Sequence, residues 1–129
     1  MRLVIQSVSS ASVRLPEYEG ISRSISRGVV IYFGISTADL PDYPEKIEKI
    51  VRKLPTIRFL EGEKGINQSL NDVDGEILLI SNFTVYGTNH KGTSMEFTGS
   101  APFSEAKAIY DYFIAEALSA GRKLQTGEF

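Results

Sequence analysis

The sequence contains no cysteine among its 129 residues, and its only histidine is His90. The absence of cysteine excludes a disulfide framework, a thiolate nucleophile, and cysteine ligands for zinc or an iron–sulfur cluster. One histidine with scattered carboxylates does not make a metal site. We therefore expect no metal and no cofactor.

An excess of one charge and long apolar runs are also absent. The formal net charge is −2, so there is no global positive field and any RNA partner must be held by a local patch. No stretch approaches membrane-spanning length, and the apolar run within Met1–Gln6 is too short for a signal peptide. We expect a cytoplasmic protein with no membrane contact, folded as one domain over residues 1–129.

The most informative stretch is Ile77–Gly87, an apolar run that ends abruptly in polar side chains. Four consecutive aliphatic residues at 77–80 predict a strand buried on both faces, because a half-exposed strand would alternate. Ser81, Asn82 and Thr84 follow where that strand emerges, a position suited to fixing polar groups for ligand recognition. The alternative is that they only satisfy backbone groups at the strand end.

Several other segments are predicted to be extended because β-branched residues alternate between turn residues. They cover residues 1–8, 11–15, 21–25, 29–35, 56–60, 66–70 and, near the end, 122–129. The turns between the first of them are short, which favours antiparallel neighbours. Residues 71–76 contain Asp72, Asp74 and Glu76 but are too short for a twelve-residue calcium loop, so a hairpin turn is predicted there.

Two main helices are predicted from apolar periodicity. The first begins near Pro44 and ends before Pro55, and the second covers 103–120 with Gly121 as its stop signal. Basic residues lie mostly off the apolar face of the first helix, where they either meet phosphates or are simply solvated. They are Lys46, Lys49, Arg52 and Lys53.

A polar loop at 88–100 separates the buried strand from the second helix, and loops of this length are often functional. Met95 and Phe97 are its only large apolar residues and are predicted to fold it over the strand end as a pocket wall. His90 is either a general base, for Ser81 among others, or a solvated side chain. No common catalytic motif occurs, so an enzyme of this sequence must use backbone groups, hydroxyls, water or the substrate itself.

Four segments occur in an order that resembles a known family: Met1–Val13, Val29–Gly34, Ile80–Val85 and Leu124–Phe129. Together they resemble the D-aminoacyl-tRNA deacylase family along nearly the whole chain. The resemblance implies an α+β domain of antiparallel sheets curled into a barrel-like core with two main helices. It also implies a homodimer that acts on aminoacyl-tRNA, with no role for DNA.

Members of that family hydrolyse the ester between a D-amino acid and its tRNA, in translation quality control. Their Ser-Gln-Phe-Thr motif corresponds here to Ser81-Asn82-Phe83-Thr84. The resemblance implies that Ser81 and Asn82 orient the ester, and that backbone amides near Phe83 and Thr84 stabilise the oxyanion. Thr84 is an alternative nucleophile. Phe97 is expected near the terminal adenosine, and Met95 and Lys91 are further substrate-binding candidates.

Three departures from the family pattern favour a different hypothesis, a non-catalytic relative that binds tRNA or a protein partner. Asn82 is one methylene shorter than the family's glutamine, and Glu96 adds negative charge where an RNA end would approach. The family's Thr-Gly-x-Phe segment is followed by a further strand and an Asn-x-Gly-Pro-x-Thr motif, which rejects L-amino acids. This sequence ends at Phe129, before that motif, so either a longer protein or a divergent relative is expected.

Overall fold

The computed structural model describes all residues from Met1 to Phe129 and contains eight strands and three α-helices. The strands are β1 (Arg2–Val8), β2 (Ala11–Leu15), β3 (Ile21–Ile25), β4 (Gly28–Gly34), β5 (Leu60–Gly62), β6 (Gly65–Gln68), β7 (Glu76–Ser81) and β8 (Leu124–Thr126). The helices are α1 (Tyr43–Lys53), α2 (Leu70–Val73) and α3 (Phe103–Ser119).

A four-stranded sheet in the order β1-β4-β7-β8 forms the centre of the molecule. The short connection between β2 and β3 gives an antiparallel pair, as predicted. β1 and β4 are also antiparallel, but β4–β7 and β7–β8 are parallel. The reason is the long connections, since α1 lies between β4 and β7 and α3 lies between β7 and β8. The central sheet is therefore mixed rather than antiparallel, and the sheets curl around the core without closing into a barrel.

The two predicted main helices are confirmed, and both pack on one face of the central sheet. Ile47 and Val51 of α1 and Ile109, Phe113 and Ala117 of α3 join a single buried cluster. The same cluster contains alternate residues of β4 and β7, which fill the inner face of the sheet. This packing holds β4 and β7 against α3, where Phe33 contacts Phe113 and Leu79 accepts a hydrogen bond from Tyr110.

The opposite face of the sheet is covered by the two-stranded sheet β2–β3. Ile25 of β3 packs there against Val30 of β4 and Leu78 of β7. β7 is therefore buried on both faces, as its unbroken aliphatic run predicted. No helix is long and apolar enough to cross a lipid bilayer.

Two local predictions between α1 and β7 were wrong. Residues 71–76 do not form a hairpin turn, because Ser69 caps the short helix α2 in a reciprocal pair with Asp72. The predicted strand at 56–60 is not formed. A 3₁₀ turn that contains Pro55 covers Leu54–Thr56, residues 57–59 are irregular, and β5 begins only at Leu60. The extended segment predicted at 66–70 is confirmed up to Gln68 by β6, which pairs antiparallel with β5, whereas Ser69 and Leu70 already belong to the cap and first turn of α2.

Candidate active site

β7 carries Ser81 to the end of the central sheet, where it lies opposite Phe33 of β4. The next amide, that of Asn82, donates a hydrogen bond to the Phe33 carbonyl oxygen at 3.0 Å. Immediately afterwards the backbone turns into one 3₁₀ turn, Phe83–Tyr86, which we call the site turn. The buried strand therefore fixes where this turn begins.

Asn82 caps the site turn with its own side chain. Its Oδ1 accepts hydrogen bonds from the Thr84 amide at 3.0 Å and from Thr84 Oγ1 at 2.5 Å. Its carbonyl oxygen accepts the Val85 amide at 3.3 Å. Phe83 is the first residue of the turn, so its amide has no hydrogen-bond acceptor within the turn. The Asn82 side chain thus satisfies a backbone group at the strand end, which is the role of a local cap. The backbone donor that it leaves free is the Phe83 amide.

The far end of the site turn is held by β1 and β4. Arg2 Nη1 donates to the Val85 carbonyl oxygen at 2.9 Å, and the Arg2 guanidinium lies 4.5 Å from the centre of the Tyr86 ring. Gly34, the last residue of β4, permits this close approach, because an added Cβ would lie 3.0 Å from Val85 Cβ. The turn is therefore held at both of its ends.

The loop at 88–100 folds back over the site turn. Thr88 and Glu96 exchange backbone hydrogen bonds of 2.9 and 2.8 Å, which close the loop at its base. Gly87 makes room for the fold-back, since a Cβ there would come within 2.8 Å of Phe97 and 3.1 Å of Met95. Phe97 then packs edge-on against Phe83, with ring centroids 5.2 Å apart.

A cavity of about 510 Å³ lies between the site turn, the end of this loop and the start of α3. Its wall is mostly apolar, and the only side-chain polar groups that line it are the hydroxyls of two serines. The lining residues are Ser81, Phe83, Phe97, Ser100, Ala101, Phe103, Ala106 and Phe129. The volume and the mostly apolar wall are typical of small-ligand sites.

The wall formed by Phe129 is supported from below by α3. The Phe129 ring lies 5.0 Å from that of Phe103 and 5.4 Å from that of Tyr110, measured between centroids. The Tyr110 hydroxyl donates to the Leu79 carbonyl oxygen at 3.1 Å. Burial raises the pKa of Tyr110 to about 12, so this hydroxyl keeps its proton at neutral pH. The C-terminal wall is thereby joined to the same strand that presents Ser81.

Of the predicted site residues, the structure brings Ser81, Phe83 and Phe97 together around the cavity. Thr84, Met95 and Lys91 are exposed and do not line it. No sequence pattern predicts Ser100, Ala101, Phe103, Ala106 or Phe129 as site residues. Phe129 is part of a segment that carried the family resemblance, whereas Ser100 and Ala106 have no local signal, because they reach the cavity only through tertiary packing.

The hydroxyls and backbone amides near the cavity differ in whether they already have a hydrogen-bond partner. The Ser81 hydroxyl lines the cavity and takes no part in the side-chain hydrogen bonds around the site turn. The Thr84 hydroxyl donates to an amide oxygen, which is not a base, so this contact does not activate it as a nucleophile. His90 is exposed, and no group of three or more His, Cys, Asp or Glu side chains is arranged to hold a metal ion. The free donors are thus the Ser81 hydroxyl and the Phe83 amide.

Comparison with known proteins places the chain in a family. A family model described as D-Tyr-tRNA(Tyr) deacylase matches residues 4–129. The chain therefore belongs to the D-Tyr-tRNA(Tyr) deacylase family.

Particular relatives extend the comparison. The chain is 35% identical over 130 aligned positions to the D-aminoacyl-tRNA deacylase of Thermotoga petrophila, covering all of this chain and 84% of the relative. It is 37% identical over 131 positions to the D-aminoacyl-tRNA deacylase of Koribacter versatilis, with the same coverage.

Two solved structures resemble the chain. The c-Myc DNA Unwinding Element Binding Protein matches with a TM-score of 0.81 and 28% identity, covering all of this chain and 85% of that one. A probable eukaryotic D-amino acid tRNA deacylase matches with a TM-score of 0.76 and 21% identity, covering 92% of this chain and 67% of that one. The second likeness shows a shared fold.

Proposed function

We propose that this protein hydrolyses the ester bond of D-aminoacyl-tRNA and releases a free D-amino acid and tRNA, as a step of translation quality control in the cytoplasm. The proposal is supported by the family match and by relatives named D-aminoacyl-tRNA deacylase that align over the entire chain. The observation that carries it is the cavity at the end of β7, which is lined by Ser81 together with four phenylalanines.

The proposed reaction uses water as the nucleophile. The water oxygen attacks the ester carbonyl carbon, a tetrahedral oxyanion forms, and the ribose oxygen then leaves with a proton. The free Phe83 amide donates to the oxyanion, and the Ser81 hydroxyl orients the ester. The terminal 2′-hydroxyl of the tRNA assists the attacking water. The aromatic wall accepts the apolar faces of the terminal adenosine and excludes bulk water.

The test is a deacylation assay with D-Tyr-tRNA and L-Tyr-tRNA measured side by side, with spontaneous hydrolysis subtracted. We expect release of D-tyrosine well above the spontaneous rate, and the ratio of the two rates measures chiral discrimination. If the protein bound tRNA but turned over neither substrate, the proposed hydrolase activity would be overturned and a non-catalytic tRNA-binding relative would be indicated. Turnover of L-Tyr-tRNA alone would overturn the proposed substrate.

The tRNA backbone is proposed to contact basic residues outside the cavity. Lys49, Arg52 and Lys53 of α1 and Lys91 of the loop at 88–100 are exposed, and none of them forms an ion pair with a carboxylate. An unpaired cation can bind a phosphate without first losing an acidic partner. The contact is therefore electrostatic and should weaken with salt.

Charge reversal tests this contact. Lys49→Glu and Lys91→Glu should each weaken tRNA binding and reduce the slope of log affinity against log salt by about one. Lys64→Glu, at an exposed turn between β5 and β6, is the matched control and should leave the slope unchanged. A slope equal to that of the unaltered protein would mean that the lysine in question is only a solvated side chain.

We further propose that the protein is a homodimer that associates through the free edge of β1. β1 pairs with β4 on one side only, and Val4 on this edge is 50% exposed. An open edge strand with an exposed apolar side chain is a template for pairing with another chain.

The assembly is measured by light scattering. We expect twice the 14.3 kDa mass of one chain, and Val4→Lys should shift the mass to that of a single chain. Ile66→Lys, at the 72% exposed Ile66 of the β5–β6 hairpin, is the control and should remain dimeric. If Val4→Lys also remained dimeric, the interface would lie elsewhere.

A further inference from the structure

Ser100 is the residue that links the end of the loop at 88–100 to the site turn. Its hydroxyl donates a hydrogen bond to the Phe83 carbonyl oxygen at 2.9 Å. Ser100 also lines the cavity, next to the first turn of α3. It is thus the one cavity residue whose side chain hydrogen-bonds to the backbone of the site turn.

The Phe83 carbonyl and the Thr84 amide belong to the same peptide unit. Ser100 holds the carbonyl of this unit, and Asn82 Oδ1 holds its N–H at 3.0 Å. The preceding peptide unit is held through the Asn82 carbonyl, which accepts the Val85 amide. Both peptide planes that flank Phe83 are therefore fixed, and the only polar group of either plane without a partner is the Phe83 amide.

We propose that Ser100 is a positioning residue for the hydrolysis, because it fixes the orientation of the site turn from which the Phe83 amide is presented to the oxyanion. The inference rests on the proposed function and adds to it a residue outside the Ser81–Thr84 segment. Stabilisation of an oxyanion depends strongly on donor orientation, since the donor must already be aimed where charge develops in the transition state.

The backbone of Ser100 is held independently of its hydroxyl. The Ser100 amide donates to the Phe97 carbonyl oxygen at 3.0 Å, and the Ala101 amide donates to the Ile35 carbonyl oxygen at 2.9 Å. Thr37 Oγ1 donates to the Ser100 carbonyl oxygen at 3.4 Å. Loss of the hydroxyl should therefore leave the loop in place and remove only the hydrogen bond that Ser100 donates to the Phe83–Thr84 peptide unit. A purely structural role predicts a loss of stability instead.

The test compares Ser100→Thr with Ser100→Val, two side chains of the same shape that differ by one hydroxyl. In the deacylation assay, kcat of Ser100→Val should be about ten-fold below that of Ser100→Thr, as expected for the loss of one hydrogen bond. KM should agree within about two-fold between the two variants, because the effect belongs to the transition state. Ser104→Ala, which removes an exposed hydroxyl bonded only to Glu105, should retain the rate of the unaltered protein.

Equal kcat values for Ser100→Thr and Ser100→Val would overturn the inference, as would a change confined to KM. If Ser100→Val fails to fold while Ser100→Thr folds, the hydroxyl is structural and the inference is also overturned. Failure of the proposed function is a separate result, because the unaltered protein would then not hydrolyse D-Tyr-tRNA at all. An active unaltered protein with unaffected Ser100 variants removes this inference alone.

Discussion

Replacing Phe83 by proline should lower kcat for D-Tyr-tRNA about a hundred-fold below that of Phe83→Ala, because only the proline variant lacks the backbone N–H. Removal of one oxyanion donor typically costs two to three orders of magnitude. The backbone is compatible with the change, since Asn82 has φ −151° and ψ 101°, an extended conformation of the kind proline requires of the residue before it. Proline is also well tolerated at the first position of a helical turn.

The comparison with Phe83→Ala isolates the amide from the aromatic ring. Both variants lose the edge-on contact with Phe97, and the Phe83 ring is 59% exposed, so both should fold. Thermal unfolding of the two variants measures any difference in stability. A kcat for Phe83→Pro within about three-fold of that for Phe83→Ala, with equal melting temperatures, would show that the Phe83 amide is not the oxyanion donor.

Replacing Asp39 by asparagine should destabilise the protein by about 3 kcal/mol, because it leaves buried positive charge without its counter-ion. The Asp39 carboxylate contacts the Met1 amino group at 2.5 Å and Lys46 Nζ at 2.9 Å, and its side chain is only 2% exposed. It also accepts the Ser36 amide at 2.8 Å. The expected fall in Tm is of the order of 10 °C for a chain of this size.

Asp42→Asn is the matched control because Asp42 pairs with the same lysine. Its carboxylate lies 3.1 Å from Lys46 Nζ, but its side chain is 56% exposed, so the pair should contribute less than about 1 kcal/mol. Urea unfolding of the three proteins at pH 7 gives both values. Equal destabilisation by the two substitutions would show that burial of the Asp39 ion pair is not the cause.

The pH dependence of stability provides a second measure of Asp39. Burial raises the pKa of Asp39, but hydrogen bonds from the Met1 ammonium and Lys46 outweigh it and hold the pKa below the ordinary value of 3.8. A carboxylate whose pKa is lowered by folding stabilises the protein above its unfolded pKa, and that stability is lost as the pH falls through the folded value. The difference in the free energy of unfolding between the unaltered protein and Asp39→Asn should therefore be largest at pH 6 and decrease below about pH 4.

Much of the secondary structure was predictable because it depends on local pattern. The aliphatic run at 77–80 indicated a fully buried strand, and the apolar stripe of α3 indicated a helix from Phe103 onward. A local signal for α2 was also present, in the pair Ser69 and Asp72. The parallel pairing of β7 was not predictable from short-turn reasoning, because the connections that permit it contain whole helices.

The site was only partly predictable, for a related reason. Ser81 and Phe83 belong to one continuous motif, and Phe97 was indicated as one of the two large apolar residues of a polar loop. Ser100 and Phe129 reach the cavity from separate parts of the chain. No periodicity in the sequence indicates that either residue will line the cavity. The capping role of Asn82 depends on its side-chain orientation, which sequence alone leaves open between capping and substrate contact.

The position of β4 between β1 and β7 has a consequence for synthesis on the ribosome. β4 can pair with β1 as soon as Gly34 has emerged, but its other edge must wait for β7, which begins at Glu76. At ordinary elongation rates these roughly forty residues take about 2–8 s, during which a β-branched strand has one unpaired edge. The nascent chain is then most vulnerable to aggregation, and the cavity cannot assemble until translation has passed α3 and reached Phe129.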